Sequence, residues 1–281
     1  MFVKFWGVHG SLPCPGPKTL KYGGNTPCVE VRSDQTLLIL DAGTGIVELG
    51  MDLLLRHRAA TGNITKIEGH ILLSHFHWDH VQGFAFFRPC YVNGNEFHLY
   101  GVKNLEANVR TTLERQMAEP NFPIGLQDMA ASLHFHDIEP GDSFSVGDLQ
   151  ITVAKLSHPG DSYGYRIEGD GKVMIYATDT EHMDDEMDEA LLKLSEKADL
   201  LVYDSMFAPE QYLGLWDKLP RRKWGHSTWE QGVALAQAAK VKRLALFHHG
   251  NEDSVIDKLE MQAKALFPAA MAAYEGLEID L

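Results

Sequence analysis

The chain has 281 residues, 44% of them hydrophobic, and a formal net charge of −14 at pH 7. This length and apolar content allow a large buried core and exclude a disordered chain, while the acidic balance argues against a long polyanionic partner, whose binding needs Lys and Arg to neutralise phosphates. No run reaches the ~18 uninterrupted apolar residues of a membrane span, the chain opens directly on strand-like Met1-Phe2-Val3-Lys4-Phe5-Trp6, and Cys14, Cys28 and Cys90 form no Cys-x-x-Cys pair, so a cytoplasmic protein with buried thiols is expected.

In chain order, strands are predicted at Phe2 to Trp6, Cys28 to Arg32 and Thr36 to Asp41, the last two separated by Ser33-Asp34-Gln35 as in a hairpin. The turn Ala42-Gly43 then launches a helix from Thr44 to about His57, with Ile46, Leu49, Leu53 and Leu54 on its apolar face. Gly69 to Ser74 reads as a buried strand. From its end runs His75-Phe76-His77-Trp78-Asp79-His80, a hexapeptide with three imidazoles and a carboxylate. These are the ligand types of zinc, at the strand end where an α/β sheet keeps its chemistry, and their number points to two divalent ions rather than one.

A strand at Glu96 to Tyr100 and a helix at Leu105 to Met117 follow, the helix stopped by Pro120-Asn121-Phe122-Pro123. Leu133-His134-Phe135-His136-Asp137 repeats the His-x-His spacing, but the alternation of a half-exposed strand running into Pro140-Gly141-Asp142 accounts for it, and it is read as a strand. Further strands are predicted at Leu149 to Leu156, Tyr163 to Ile167, Lys172 to Tyr176 and Leu200 to Tyr203. The acidic run Asp184 to Glu189 reads as a solvated helix face and N-terminal turn. Ser227-Thr228-Trp229-Glu230 fits a capping box, which predicts Ser227 as N-cap of a helix from Thr228 to about Lys240, with His226 just outside it. Arg243 to His248 is the next strand, Ser254 to Leu266 the last long helix, and Met271 to Tyr274 a short extended tail.

Each ion needs about three protein ligands beside a solvent oxygen, more than the hexapeptide supplies. His158, Asp179 and His248 all follow predicted strands and are the candidates for the remainder.

In this order, His75-x-His77-x-Asp79-His80, His158, Asp179 within Ala177-Thr178-Asp179-Thr180, and His248 resemble the metal motifs of the metallo-β-lactamase-fold hydrolases. Gly225-His226-Ser227-Thr228 ahead of a helix is similar to the ribonuclease Z and phosphodiesterase branch, and Trp6-Gly7-Val8-His9-Gly10-Ser11 with Tyr22-Gly23-Gly24-Asn25-Thr26 to bacterial cyclic-nucleotide phosphodiesterases. The resemblance implies one α/β domain over residues 1–281, a four-layer αββα sandwich, with an insertion at about 84–135. It implies one metal on His75, His77 and His158, a second on Asp79, His80 and His248, and Asp179 between them. Zinc is expected, with manganese or iron as alternatives of like ligand preference. A hydroxide held between the two ions would attack a phosphoryl centre, Asp79 would orient it, and His226 would act as general acid. A homodimer is a further implication.

The expected substrate is a small phosphodiester, foremost a 3′,5′-cyclic nucleotide. The basic arm with which ribonuclease Z enzymes grip transfer RNA has no counterpart, since the twenty residues between His158 and Asp179 carry only Arg166 and Lys172 as cations and read as a tight hairpin. Phe84, Phe86, Phe87, Tyr91, Met117 and Phe122 are read as core or dimer contacts, or else as a base-stacking wall over the metals. Rival readings keep the metals but open a lactone or thioester, cleave short RNA, or use the fold as a non-catalytic sensor. Whether His249, His9 or His182 faces the substrate is left open by the pattern.

Overall fold

The computed structural model describes residues 1–58, 65–103, 108–182 and 186–281. Two seven-stranded sheets face each other, with helices on both outer faces.

The first half builds one sheet. β1 (Phe2–Gly7), β2 (Cys28–Arg32) and β3 (Leu37–Leu40) form an antiparallel meander. α1 (Gly45–Arg56) follows and buries Ile46, Leu49 and Leu53, the stripe that a helical period places on one face. β4 (Glu68–Leu72) returns parallel to β3 and leads into the one-turn α2 (Trp78–Val81). β5 (Glu96–Val102), α3 (Val109–Gln116) and β6 (Ser132–Ile138) extend the sheet in parallel. The segment 84–135 thus contributes β5 and the start of β6 to the first sheet.

The second sheet begins with the antiparallel ladder β7 (Ser143–Val146), β8 (Leu149–Leu156), β9 (Ser162–Gly169) and β10 (Lys172–Ala177). It continues through α4 (Glu189–Ser195), β11 (Leu200–Asp204), α5 (Pro209–Tyr212), α6 (Trp229–Ala238), β12 (Leu244–Phe247), α7 (Asp253–Leu266) and β13 (Ala270–Ala272), with β10 to β13 parallel. β14 (Glu278–Asp280) crosses back to pair with β1. Because two antiparallel steps separate β8 from β10, the strands β8, β10, β11 and β12 all run the same way, and their C-terminal ends share one rim.

Three apolar layers match this arrangement. Phe5, Val31, Leu72, Val153, Tyr176 and Phe247 lie in the layer between the sheets; Ile39, Leu49, Phe87, Phe97 and Leu113 lie under α1 and α3; Ile175, Leu201, Val233 and Leu259 lie under α4, α6 and α7. Among the described residues no helix is long and apolar enough to cross a membrane.

Several element boundaries differ from the sequence reading. Thr228, not Ser227, caps α6, and Gln231 Oε1, not Glu230, accepts the Thr228 N–H at 2.9 Å. Ser227 is engaged elsewhere: its Oγ donates to the Thr180 carbonyl at 2.6 Å and accepts from Tyr203 Oη at 2.9 Å. Leu105, where the sequence places the helix start, lies outside the described residues; α3 runs from Val109 behind an Asn108 cap that accepts the Thr111 N–H at 3.0 Å. Asp184 and Asp185 of the acidic run also lie outside the described residues, while Asp188 caps α4 by accepting from Leu191 N–H at 3.0 Å. The C-terminal tail is ordered into β13 and β14 rather than a single extended piece.

Phe5 bridges the sheets, its fully buried ring centroid 5.9 Å from that of Phe247. Phe5→Ala is expected to cost about 3–5 kcal/mol through lost burial and a residual cavity; a urea midpoint change equivalent to less than ~1 kcal/mol would contradict this packing account.

Candidate metal centre

The hexapeptide leaves β4 and turns into α2, which sets His75 and His77 on the loop and Asp79 and His80 in the helical turn. His158 follows β8, Asp179 follows β10 and His248 follows β12. All seven meet at the shared rim. Asp179 lies in the middle: its Oδ1 is 3.7 Å from His75 Nε2 and 3.9 Å from His158 Nε2, while its Oδ2 is 3.2 Å from His80 Nε2 and 3.4 Å from His248 Nε2. His77 Nδ1 lies 3.1 Å from His158 Nε2, and Asp79 Oδ2 lies 3.2 Å from both His80 Nε2 and His248 Nε2. The candidate ligand atoms therefore divide into His75, His77 and His158 on one side and Asp79, His80, Asp179 and His248 on the other.

These residues fit a pair of divalent cations. The buried His75 Nε2 and His80 Nε2 have no hydrogen-bond partner, an expensive state for a polar atom unless something else occupies its lone pair. Burial, then neighbouring His80, pushes the His75 pKa well down, so that ring presents a neutral imidazole. His80 behaves oppositely: burial opposes its charge, but Asp79, Asp179 and Asp41 outweigh burial and raise its pKa far above the ordinary value. Several carboxylates converging on one buried imidazole demand positive charge, which a cation supplies as a proton does.

Other hydrogen bonds fix the orientation of the rings. Asp41, just beyond β3, contacts His80 Nδ1 at 2.7 Å and accepts from Ser74 N, Ser74 Oγ and Tyr176 Oη at 2.7, 2.8 and 2.7 Å. His158 Nδ1 donates to the Gly225 carbonyl at 2.8 Å, which leaves Nε2 as the lone-pair atom facing Asp179. Gly225 sits at φ +86°, and a Cβ there would lie 2.2 Å from His158 Nδ1, so only glycine permits the approach. Ser11 N–H donates to Asp79 Oδ2 at 2.8 Å.

Asp204 is a candidate site residue that the sequence reading did not include. It closes β11 and is fully buried; its carboxylate accepts from Asp179 N at 3.0 Å, Ser227 N and Met206 N at 3.1 Å, and His226 Nδ1 at 2.8 Å. Those bonds saturate it as an organiser. The available signal was an acidic residue at a strand end, the same placement that marked Asp179. Burial opposes charge on His226, but Asp204 overrides it and raises the ring pKa to about 9. His226 Nδ1 also lies 3.8 Å from Asp179 Oδ1.

The three histidines left open are turned to structural work. His249 Nε2 donates to the Ala273 carbonyl at 2.9 Å, His9 Nδ1 to the Gly10 carbonyl at 3.0 Å, and His182 Nε2 pairs with Tyr203 Oη at 2.7 Å. The aromatic wall takes another form as well. Phe84, Phe87 and Met117 are buried in the core under α1, Phe122 packs against it and edge-on to Phe86, and Tyr91 Oη donates to the Ala85 carbonyl at 2.8 Å. The exposed aromatics beside the ligands are Trp78, between His77 and Asp79 at 72% exposure, and Trp224, next to Gly225 at 47%.

Comparison with known proteins places the fold in a family. The ribonuclease Z of Bacillus velezensis is 25% identical over an alignment covering 76% of this chain and 81% of its own length. The metallo-beta-lactamase fold protein YhfI of Bacillus subtilis superposes with a TM-score of 0.71 at 19% identity, covering 99% of this chain and 98% of that one. A diphosphatase of the PhnP family gives 0.70 at 18% identity, covering 100% and 97%. The profile of the family described as "Beta-lactamase superfamily domain" matches residues 36–249. With a histidine and aspartate cluster at its rim that can hold a dinuclear metal site, this chain belongs to the beta-lactamase superfamily as a hydrolase of the metallo-β-lactamase fold.

Proposed function

We propose that the protein hydrolyses a small phosphodiester, foremost a 3′,5′-cyclic nucleotide. His75, His77 and His158 hold one divalent ion, Asp79, His80 and His248 hold a second, and Asp179 offers one oxygen to each side. When bound, such a pair supplies Lewis acidity towards a phosphoryl oxygen and acidifies water at neutral pH. Zinc suits the imidazole-rich set, and manganese or iron share enough of that preference to compete by availability.

The observation that carries the phosphodiester reading is the Asp204–His226 pair beside Asp179. A departing alkoxide needs a proton, and His226, with Nδ1 bound to Asp204 at 2.8 Å, keeps Nε2 as the atom from which to give it. Asp204 fixes the ring's tautomer and stabilises its charged form. Asp79, held by the Ser11 N–H at 2.8 Å, orients the attacking solvent. Trp78 and Trp224 offer exposed faces on which a nucleobase can stack. Charge and shape support a small substrate: the chain between His158 and Asp179 is the plain β9–β10 hairpin, and its Arg166 is tied to the Leu194 and Glu196 carbonyls at 3.0 and 3.1 Å and to Glu168 at 2.9 Å.

Cleavage of RNA is the second reading, favoured by the relative named ribonuclease Z. Salt separates the two: an RNA grip made of several phosphate contacts weakens steeply with ionic strength, whereas a one-phosphate substrate responds little.

His77→Ala should abolish hydrolysis of cyclic adenosine or guanosine monophosphate, and a chelator should do so reversibly; inertness of the zinc- or manganese-loaded protein towards all cyclic and linear phosphodiesters would overturn the proposal. His226→Ala is expected to lower kcat by about 10²–10⁴-fold with metal content intact, whereas an acyl-type hydrolase would lose little. Asp41→Asn should weaken metal affinity about 10–100-fold in chelator competition, because it removes the carboxylate that aligns His80.

A further inference from the structure

A second cluster of ligand-type side chains lies away from this rim. β4, β5 and β6 are parallel and in register, so alternate residues form rows across them: Glu68 with Glu96, then His70, His98 and His134, then Tyr100 with His136. Phe97, Leu99, Leu133 and Phe135 point the other way, into the core under the helices, which puts the histidines on the face turned to the other sheet. His134 is exposed at the edge strand, and His70, His98 and His136 are half-buried. The rings of His70 and His98 stack at 4.9 Å and those of His98 and His134 at 4.6 Å.

Glu96 Oε1 lies 3.2 Å from His134 Nε2 and 3.5 Å from His98 Nε2, and the three atoms all fall within 4.8 Å of one another. Metal–ligand bonds of about 2.0–2.1 Å at tetrahedral angles separate ligand atoms by roughly 3.3–3.4 Å, close to the two separations that Glu96 makes with the histidines. The surroundings prepare each ligand. Glu96 Oε2 is taken by Lys66 Nζ at 2.8 Å, leaving Oε1 for another partner. His98 Nδ1 faces His136 Nε2 at 3.0 Å; when His98 donates there, its Nε2 turns a lone pair towards Glu96, and the orientation is fixed as it is for metal-bound imidazoles.

We propose that Glu96, His98 and His134 form a further divalent-cation site, for zinc or an ion of similar ligand preference, that ties β5 to the edge strand β6. Two imidazoles and one carboxylate leave a fourth position for water. The site sits at the N-terminal end of β5, whereas the hexapeptide leaves the C-terminal end of β4, so the two centres load independently.

The test is zinc stoichiometry and thermal stability of the full chain after zinc loading and removal of excess, compared with His134→Gln and Glu96→Gln. Both positions are accessible enough to change without loss of fold, and neither belongs to the proposed catalytic set. The wild type should retain one equivalent of zinc more than either variant and show a zinc-dependent rise in Tm that both variants lack, with phosphodiesterase activity unchanged. His77→Ala, which disables the other centre, should keep the extra equivalent, so failure of the catalytic reading would not be mistaken for failure of this one. Equal zinc content and equal zinc-dependent Tm shifts in the wild type and both variants would overturn it, as the cluster would then be joined by hydrogen bonds alone.

Discussion

Burial of carboxylates at one rim is the constraint on which the rest of the structure turns. Asp41, Asp79, Asp179 and Asp204 are between 0% and 6% exposed, and a charge removed from water to this extent is tolerable only when paired and hydrogen-bonded. Each is compensated differently. Asp204 is met by backbone amides and His226, Asp41 by hydroxyls, an amide and His80, and Asp79 and Asp179 by several imidazoles. The groups that neutralise Asp179 are thus the ones that converge on the two proposed metal positions, and the same atoms serve the folding of the rim and its chemistry.

Backbone conformation shows what this convergence demands. Asp41, Asp179 and His248 lie at φ 60°, 54° and 60°, each just past a strand end. Side-chain-bearing residues in the left-handed region cost of order 1–3 kcal/mol each and persist only where their surroundings over-determine them. Here the over-determination is visible: the Asp179 amide is held by Asp204 at 3.0 Å, and the Asp41 amide by the Leu72 carbonyl at 2.9 Å. At His248 the neighbouring Gly10 is the matching concession, since a Cβ there would stand 2.5 Å from the ring's Nδ1. The topology makes such turns useful, because β8, β10, β11 and β12 end on the same rim and each sharp turn aims one side chain at the common centre.

What could be read from the sequence was set by how local the signal was. Three imidazoles and a carboxylate within six residues cannot be mistaken for a core pattern, and long alternating or apolar runs such as Leu149 to Leu156 announce themselves. The importance of Asp204 lies in partners from two distant places in the chain, Asp179 and the neighbouring pair His226 and Ser227, which its own neighbourhood does not reveal. The same limit explains Ser227, whose local capping pattern lost to Thr180 and Tyr203, and β14, three residues long and formed only because β1 has an open edge. Phe84 and Phe87 were ambiguous because hydrophobic content alone does not say which side of a sheet a residue packs against; α1 decided it.

The exposure of the ligands gives the proposed reaction a direction. His80 and His248 are fully buried, whereas His77 is exposed and carries the exposed Trp78 beside it. In the proposed reaction a substrate would therefore meet the His75, His77 and His158 side first, with Asp79, His80 and His248 behind it. Trp224 and His226 flank this entrance, Trp224 set edge-on against Phe207 at 6.2 Å and Phe207 edge-on against His226 at 5.8 Å. A base resting on either tryptophan stays at the solvent boundary, where a flat aromatic face discriminates weakly among bases because each offers a similar stacking surface. In the proposed reaction, recognition of the phosphate would then fall to the buried, hydrogen-bonded cluster, with His226 and Asp204 serving the leaving group and only the base held at the open, aromatic edge.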